Sequence, residues 1–484
     1  CLGAGSLADA VAAIADHVVS RAGSSDCDLA VATDPDAGML VQLRDALVPG
    51  GTCYIEWHRR GDGVDQMEHA LRAAGFEDVT CYRPWPAPDA LPLYWIPLGA
   101  AGASAYVRSR RRLPGGRLRR LVNEVRRRAG DLLRGRPGAT ICALARRPGA
   151  SSSDELTPAA WLRQGWPHWG LGPSPDRLST LLVTGGPRSV SKVVLLAFAE
   201  PSPIPVVAVK APRVEESAAG VRREGEVLAG LSARGLAGVP RLLARRETGG
   251  APLVGETAIV GRPLETLLTR ASMGAWSGKV TDWLASLSSP EPPRPPAHWR
   301  EAIVEPALAR FVELFGGVVD RGLLREAEAI IRGLGALPSV PEQRDLGPWN
   351  VLVTPAGGIA VLDWESAEVD GLPALDLLYY LAYAAFSADR ARDRESRVAS
   401  FRRSLDATTF TGAIRRDCLA RYVGALGLEA SQLAPLRALV WLIHAPSDAR
   451  HAAADAGGTP PAELLSRSLF LGLWEEEVRH LAGG

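Results

Sequence analysis

Between Gln343 and Leu377, the polar residues Asp345, Asn350, Asp363 and Asp376 punctuate a stretch rich in apolar residues. Asp345 and Asn350 stand five apart, which places them together on one tight loop. The apolar run Val351–Val353 predicts a short strand that anchors this loop. Gly357-Gly358 predicts a turn, and Ile359–Leu362 a returning strand that presents Asp363 at its end. Trp349 and Trp364 flank two of the polar positions. A carboxylate and an amide on one loop, with a second carboxylate delivered by a hairpin, supply a proton acceptor and oxygen ligands for a hard cation.

Read as Gln343-Arg344-Asp345-Leu346-Gly347-Pro348-Trp349-Asn350, with Leu362-Asp363-Trp364 thirteen residues on and Leu375-Asp376 after that, the run resembles the catalytic segment of the aminoglycoside phosphotransferase and choline kinase family. The resemblance implies an α+β bilobal, protein-kinase-like domain that moves a phosphoryl group from ATP to a hydroxyl, using Mg²⁺. It implies that Asp345 orients or deprotonates the hydroxyl, that Asn350 and Asp363 hold Mg²⁺, and that Asp376 braces the loop. Gln343 and Arg344 stand where the family has His and Gly, and an Arg before the Asp is also similar to the HRD of protein kinases.

A kinase of this kind needs a phosphate-covering loop, a lysine and a glutamate upstream. Leu181–Thr184 and Lys192–Phe198 read as a hairpin around the Gly185-Gly186 turn, and Pro205–Lys210 as a β-branched strand ending in lysine. The helical segment Val221–Leu228 follows. The resemblance gives Lys210 contact with the α- and β-phosphates and Glu224 the part of its partner, with Glu226 the alternative; Lys192 is the alternative lysine. Glu256-Thr257-Ala258-Ile259-Val260-Gly261-Arg262-Pro263-Leu264 is similar to the family hinge, whose backbone near Ala258 and Val260 would contact adenine.

Residues 1–148 alternate apolar runs with helical patterns: a helix over Ser6–Arg21, strands at Leu29–Ala32, Thr52–Trp57, Val79–Tyr82 and Ala139–Ala145, helices over Met39–Leu47 and Val64–Ala74. Such alternation predicts a parallel, doubly wound, Rossmann-like sheet. Asp28-Leu29-Ala30-Val31, Leu43–Gly51 and Ala73-Ala74-Gly75-Phe76 resemble the second half of a class I methyltransferase. About 22 residues separate the glycines of Leu2-Gly3-Ala4-Gly5-Ser6 from Asp28. Two further strand–helix units do not fit in that gap when one βαβ unit takes roughly 30 residues, so the domain is expected to be partial.

The organisation expected is therefore a partial α/β domain over 1–148 with a basic insertion at 106–136, a linker over 149–178, a kinase N-lobe over 179–264 and a C-lobe over 265–484. The insertion carries twelve arginines and two acids between Arg108 and Arg136, interleaved with Leu and Val. It reads either as a solvated amphipathic helix or as a surface for anionic lipid headgroups or a polyanionic glycan carrier; without interleaved aromatic residues, nucleic acid ranks last and is not expected. The net charge of +1 points to no polyanionic partner for the whole chain. Six scattered cysteines suggest free thiols and a cytoplasmic protein, peripheral at the inner membrane face if the basic segment binds lipid. No signal peptide or long apolar span is evident, and the opening Cys1 leads us to expect that the natural start lies upstream.

The acceptor is expected to be a hydroxyl on a small molecule or glycan. The motif wording and the Tyr82–Leu98 region are similar to polysaccharide-assembly phosphotransferases and sugar-pathway methyltransferases, and the pairing of the two domains resembles enzymes that cap O-antigen chains. An antibiotic-modifying kinase, a bifunctional methyltransferase–kinase and a non-catalytic pseudokinase scaffold remain as alternatives.

Overall fold

The computed structural model describes residues 27–58, 63–85, 94–110, 140–149, 158–184, 192–248, 250–288, 291–456 and 461–483. The helix expected over Ser6–Arg21, the Gly3 and Gly5 loop, the Gly185-Gly186 turn and most of the arginine-rich insertion lie outside these residues. The chain divides into two compact units, one formed by Cys1–Arg222 with Leu242–Ala258, the other by Arg223–Arg241 with Ile259–Gly484.

The first unit is built on one ten-stranded sheet in the order β1-β2-β5-β3-β4-β6-β7-β8-β10-β9. Its strands are β1 (Cys27–Thr33), β2 (Leu47–Trp57), β3 (Glu77–Trp85), β4 (Tyr94–Pro97), β5 (Ile141–Arg146), β6 (Leu178–Val183), β7 (Val193–Ala199), β8 (Pro205–Ala211), β9 (Leu242–Thr248) and β10 (Ala251–Thr257). The N-terminal part is not the parallel sheet that alternation predicts. Among the described residues, only β1 and β2 pair in parallel, linked over the helix Ala37–Ala46. The helix Gly63–Ala73 returns the chain to β3 in the direction of β2. However, β5 arrives from much later in the sequence and slots between them, antiparallel to both. Parallel neighbours need a crossover and antiparallel ones do not, so a strand inserted from afar is free to run in reverse.

The sheet does not break where the N-terminal part meets the following strands. Tyr94 and Trp95 of β4 pair antiparallel with Val183 and Leu182 of β6. Strand β7 shows why its sequence is apolar throughout: both its faces are covered. Leu195 and Ala197 pack into a cluster with Trp161, Leu162, Trp166 and Trp169, which come from the helix Pro158–Gly165 and the turn after it. On the opposite face, Phe198 joins Leu181 under Ala103 and Val107 of the helix Ala101–Arg110. The Glu200 carboxylate accepts from the Gly102 N–H at 2.8 Å and ties that helix start to the end of β7.

The second unit is mainly helical. Two small sheets frame its loops: β11 (Arg262–Pro263), β13 (Val351–Val353) and β14 (Ile359–Val361) in one, β12 (Val340–Glu342) and β15 (Glu368–Gly371) in the other. The helix Leu375–Asp389 is buried on every side along its first two turns, as an apolar sequence without a polar face requires. Among the described residues no single helix is long and apolar enough to cross a membrane, and Cys27, Cys53, Cys81, Cys142 and Cys418 are free thiols.

Candidate active site

The loop between β12 and β13 is held by side chains rather than by regular backbone pairing. Asp376, at the start of the helix Leu375–Asp389, accepts the Gln343 N–H at 2.6 Å and the Arg344 N–H at 2.9 Å. That double grip holds Arg344 in the left-handed region, φ 65°, a conformation that disfavours non-glycine residues by roughly 1–2 kcal/mol. The Gln343 amide completes the frame. Its Nε2 donates to the Leu362 and Asp363 carbonyls, at 3.2 and 2.5 Å, while its Oε1 accepts the Asp345 N–H at 2.9 Å. A reversed amide would set oxygen against two carbonyls, so the network fixes its orientation. Gln343 thus joins the loop to the strand end that carries Asp363, and Asp363 itself is left-handed, φ 66°.

Asp345 is gripped from two directions. Tyr379 donates its hydroxyl to Oδ1 at 3.1 Å, and the Asn350 amide nitrogen donates to Oδ2 at 2.9 Å and to the Asp345 carbonyl at 2.9 Å. Burial, and secondly the charge of Asp363, push the Asp345 carboxyl up to about 6, while hydrogen bonds from Tyr379, Trp349 and Asn350 pull against that rise. A carboxylate poised there is a better proton acceptor at neutral pH than an ordinary aspartate. Burial and the neighbouring Glu342 push Asp376 up to about 7, against the pull of its two backbone donors. Glu342 is raised too, by burial, despite its ion pair with Arg344 at 3.3 Å.

The oxygen chemistry fits Mg²⁺. The Asn350 amide nitrogen is engaged by Asp345, which leaves Oδ1 as the atom able to serve as a neutral oxygen ligand, and Asp363 adds a carboxylate. Among the described residues no group of three or more His, Cys, Asp or Glu could hold a metal. A site of two protein oxygens suits an ion that fills its remaining positions with phosphates and water.

Glu224 reaches this region from the helix Ala218–Ala233: its fully buried carboxylate accepts the Trp364 N–H at 2.9 Å, next to Asp363. Glu226, two residues on, is exposed. In the first unit, buried Lys210 stands one residue before the end of β8, and its Nζ lies 2.9 Å from Oε1 of Glu256. Glu256 sits on β10 opposite Ala208 and shares the face of Lys210. Sequence reasoning placed Glu256 only at the start of the hinge. Strand alternation across β8 and β10 was the signal that could have found it. The Ala258 N–H donates to the Val206 carbonyl at 2.9 Å, so that amide is engaged in the sheet. Val260 is half-buried in the second unit.

Tyr379, like Glu256, is a residue of the candidate site that the sequence reading does not single out. It lies inside an apolar helix 34 residues after Asp345, where nothing but helical phase marks it. Gly347 has a local reason: a Cβ there would meet the Trp349 ring at 2.2 Å.

The chain is similar to a GDP complex of an aminoglycoside 2′-phosphotransferase-IIIa mutant at 13% identity, over 66% of this chain and 95% of that one, TM-score 0.39. A fructosamine-3-kinase from Haemophilus somnus is similar at 11% identity over 66% and 96%, TM-score 0.37. The Streptomyces rimosus aminoglycoside phosphotransferase APH(3″)-Id, solved with ADP and streptomycin, is similar at 16% identity over 52% and 94%, TM-score 0.31. No curated protein matches the chain. Residues 199–410, the stretch that contains Lys210, Glu224, Asp345, Asn350, Asp363 and Asp376, match the phosphotransferase enzyme family.

Proposed function

We propose that this chain transfers a phosphoryl group from ATP to a hydroxyl of a sugar or glycan. The observation that carries the reading is Asp345, a carboxylate held by Tyr379 and Asn350 and raised to about 6. The acceptor oxygen attacks the γ-phosphorus, its bond to ADP breaks, and the acceptor proton passes to Asp345, giving ADP and the phosphate ester. Asn350 and Asp363 would hold Mg²⁺, which when bound screens the charge on the nucleotide phosphates. Lys210 takes the phosphate-contacting part by resemblance, and Glu224 holds the backbone beside Asp363. The sugar assignment rests on the motif wording and on the likeness of Tyr82–Leu98 to sugar-pathway enzymes.

The test is a screen of the full chain with ATP and Mg²⁺ over sugars, glycan fragments, aminoglycosides and macrolides, with the product mass read out. Transfer to an antibiotic and to no sugar would replace the acceptor class. Wild-type-like turnover in Asp345→Asn would remove catalysis by this site and leave a scaffold.

A second reading concerns the N-terminal part, where β1, β2 and β3 run in one direction with helices between them. That direction supports a methyltransferase-like half-domain, and calorimetric titration with S-adenosylmethionine tests whether it binds cofactor. We further propose that the Arg108–Arg136 segment brings a cytoplasmic chain to an anionic membrane face. Liposome co-sedimentation without preference for anionic lipid would overturn that.

A further inference from the structure

The phosphoryl-transfer chemistry above accounts for the hydrogen bond that Trp349 gives Asp345, and leaves the exposure of its ring unexplained. Trp349 is 38% exposed although it directly precedes Asn350. Its ring is nonetheless fixed on two sides. Gly347 lies against it so closely that any Cβ would collide at 2.2 Å, which leaves the ring resting on loop backbone. Tyr383, from the helix Leu375–Asp389, meets it edge to face, with centroids 4.9 Å apart and planes at 87°. Tyr383 lies 4.8 Å from Tyr379, whose hydroxyl reaches Asp345. An ordered row of three rings therefore runs from an exposed aromatic surface to the carboxylate that receives the proton.

An exposed tryptophan held this firmly, beside a proton acceptor, is placed to bind rather than to pack. Its π face carries partial negative charge, which suits the weakly positive C–H groups on one face of a sugar ring. A ring laid there keeps its hydroxyls at the edge, where one can reach Asp345. We propose that Trp349 is the acceptor platform: it stacks on the C–H face of a pyranose-type ring and selects cyclic over open-chain hydroxyl acceptors. This deepens the phosphotransferase reading and rests on it.

The experiment uses the full chain with ATP, Mg²⁺ and three kinds of acceptor: a set of methyl pyranosides, the open-chain polyol sorbitol, and choline. Wild type, Trp349→Phe and Trp349→Leu are compared on the best pyranoside. Leucine keeps an apolar side chain and removes the π face, whereas phenylalanine keeps a smaller one; both lose the hydrogen bond to Asp345, so the difference between them reads the ring alone. The platform predicts that Leu raises the acceptor KM about tenfold, with a smaller change in kcat, and that Phe stays within about threefold of wild type. It also predicts that the Leu variant narrows the preference for pyranoside over sorbitol. A Leu variant with wild-type acceptor KM, a loss confined to kcat, or an unchanged preference over sorbitol would overturn the platform alone. Transfer to choline with none to any pyranoside would overturn it in favour of a cation held over the ring. No transfer at all by the wild type would overturn the phosphotransferase reading and the platform with it.

Discussion

The side-chain nitrogen of Gln343 donates to the main-chain carbonyl of Asp363 at 2.5 Å, and its oxygen accepts the amide N–H of Asp345 at 2.9 Å. One neutral amide thereby spans the two carboxylate-bearing segments of the site at a position where the resembling family carries histidine. The amide supplies two donors and an acceptor at once and does not change charge near neutrality.

Replacing Gln343 by Leu keeps the volume and removes all three bonds. Two carbonyls and one N–H then lose partners in a buried setting, each worth about 1–3 kcal/mol if no water replaces it. We expect a fall of several kelvin in melting temperature and a loss of at least tenfold in kcat, with a smaller change in the KM for ATP. Equal losses in both constants would show that the amide supports the whole unit rather than the register of Asp345 against Asp363.

Asp345 makes a prediction with a sign. Its carboxyl lies at about 6 in the folded chain, against an ordinary value of 3.8. The folded state therefore binds the proton more tightly than the unfolded state, so stability falls as pH rises from about 4 to about 6 and the penalty persists above that. Asp345→Asn removes the penalty. The variant should be inactive yet more stable than wild type by ~1–2 kcal/mol at pH 8, with no gain at pH 4, read by denaturant unfolding at both pH values. In the wild type, kcat/KM should rise through about pH 6 as the carboxylate forms. A variant less stable than wild type at pH 8 would show that the bonds from Tyr379 and Asn350 outweigh the buried charge.

These two residues also show what was legible in the sequence. The segment Asp345–Asp376 could be read because its polar positions fall on one loop, one hairpin and one helix start, all within local reach of one another. Tyr379 and Glu256 could not be read so easily. Each acts through a neighbour brought in by tertiary packing, the first across an apolar helix, the second across a strand pair. The sheet shows the same limit on a larger scale: alternation found β1, β2, β3 and β5, but the reversed place of β5 and the pairing of β4 with β6 are long-range choices that local pattern does not encode. The three tryptophans between residues 160 and 170 looked like a junction with ordered contacts, and their burial against β7, β8 and β10 is specified by the face of the sheet they cover.

Lys210 and Glu256 form a pair with both side chains almost fully buried. Breaking such a pair from one side typically destabilises by ~3–5 kcal/mol, whereas replacing both partners with apolar groups of similar volume is far milder. We expect Lys210→Met and Glu256→Leu each to lower stability strongly, and the double variant to recover more than half of the loss. If Lys210 contacts the phosphates as proposed, nucleotide affinity should be lost in Lys210→Met and should not return in the double variant, which lacks the same charge. Fluorescent ATP-analogue binding beside thermal unfolding separates the two effects.

The continuity of the ten-stranded sheet gives the last prediction. If residues 179–484 formed an independent kinase, a chain starting at Ser179 would fold and bind nucleotide. The structure argues otherwise. Such a chain exposes the edge of β6 that pairs with Tyr94 and Trp95. It also uncovers both faces of β7, through loss of Trp161, Trp166 and Trp169 on one side and of Ala103 and Val107 on the other. An open apolar edge and two bare apolar faces favour aggregation over folding. Expression of 179–484 should give insoluble protein, and a chain starting at Pro158 should remain poorly soluble because it restores one face and leaves the β6 edge open. In the full chain, Trp169→Ala should lower stability by ~3–5 kcal/mol, as for a large buried aromatic, with nucleotide binding lost only as the sheet unfolds. A soluble, nucleotide-binding 179–484 fragment would show that the sheet tolerates division between β4 and β6, and that the N-terminal strands only add to a lobe already complete.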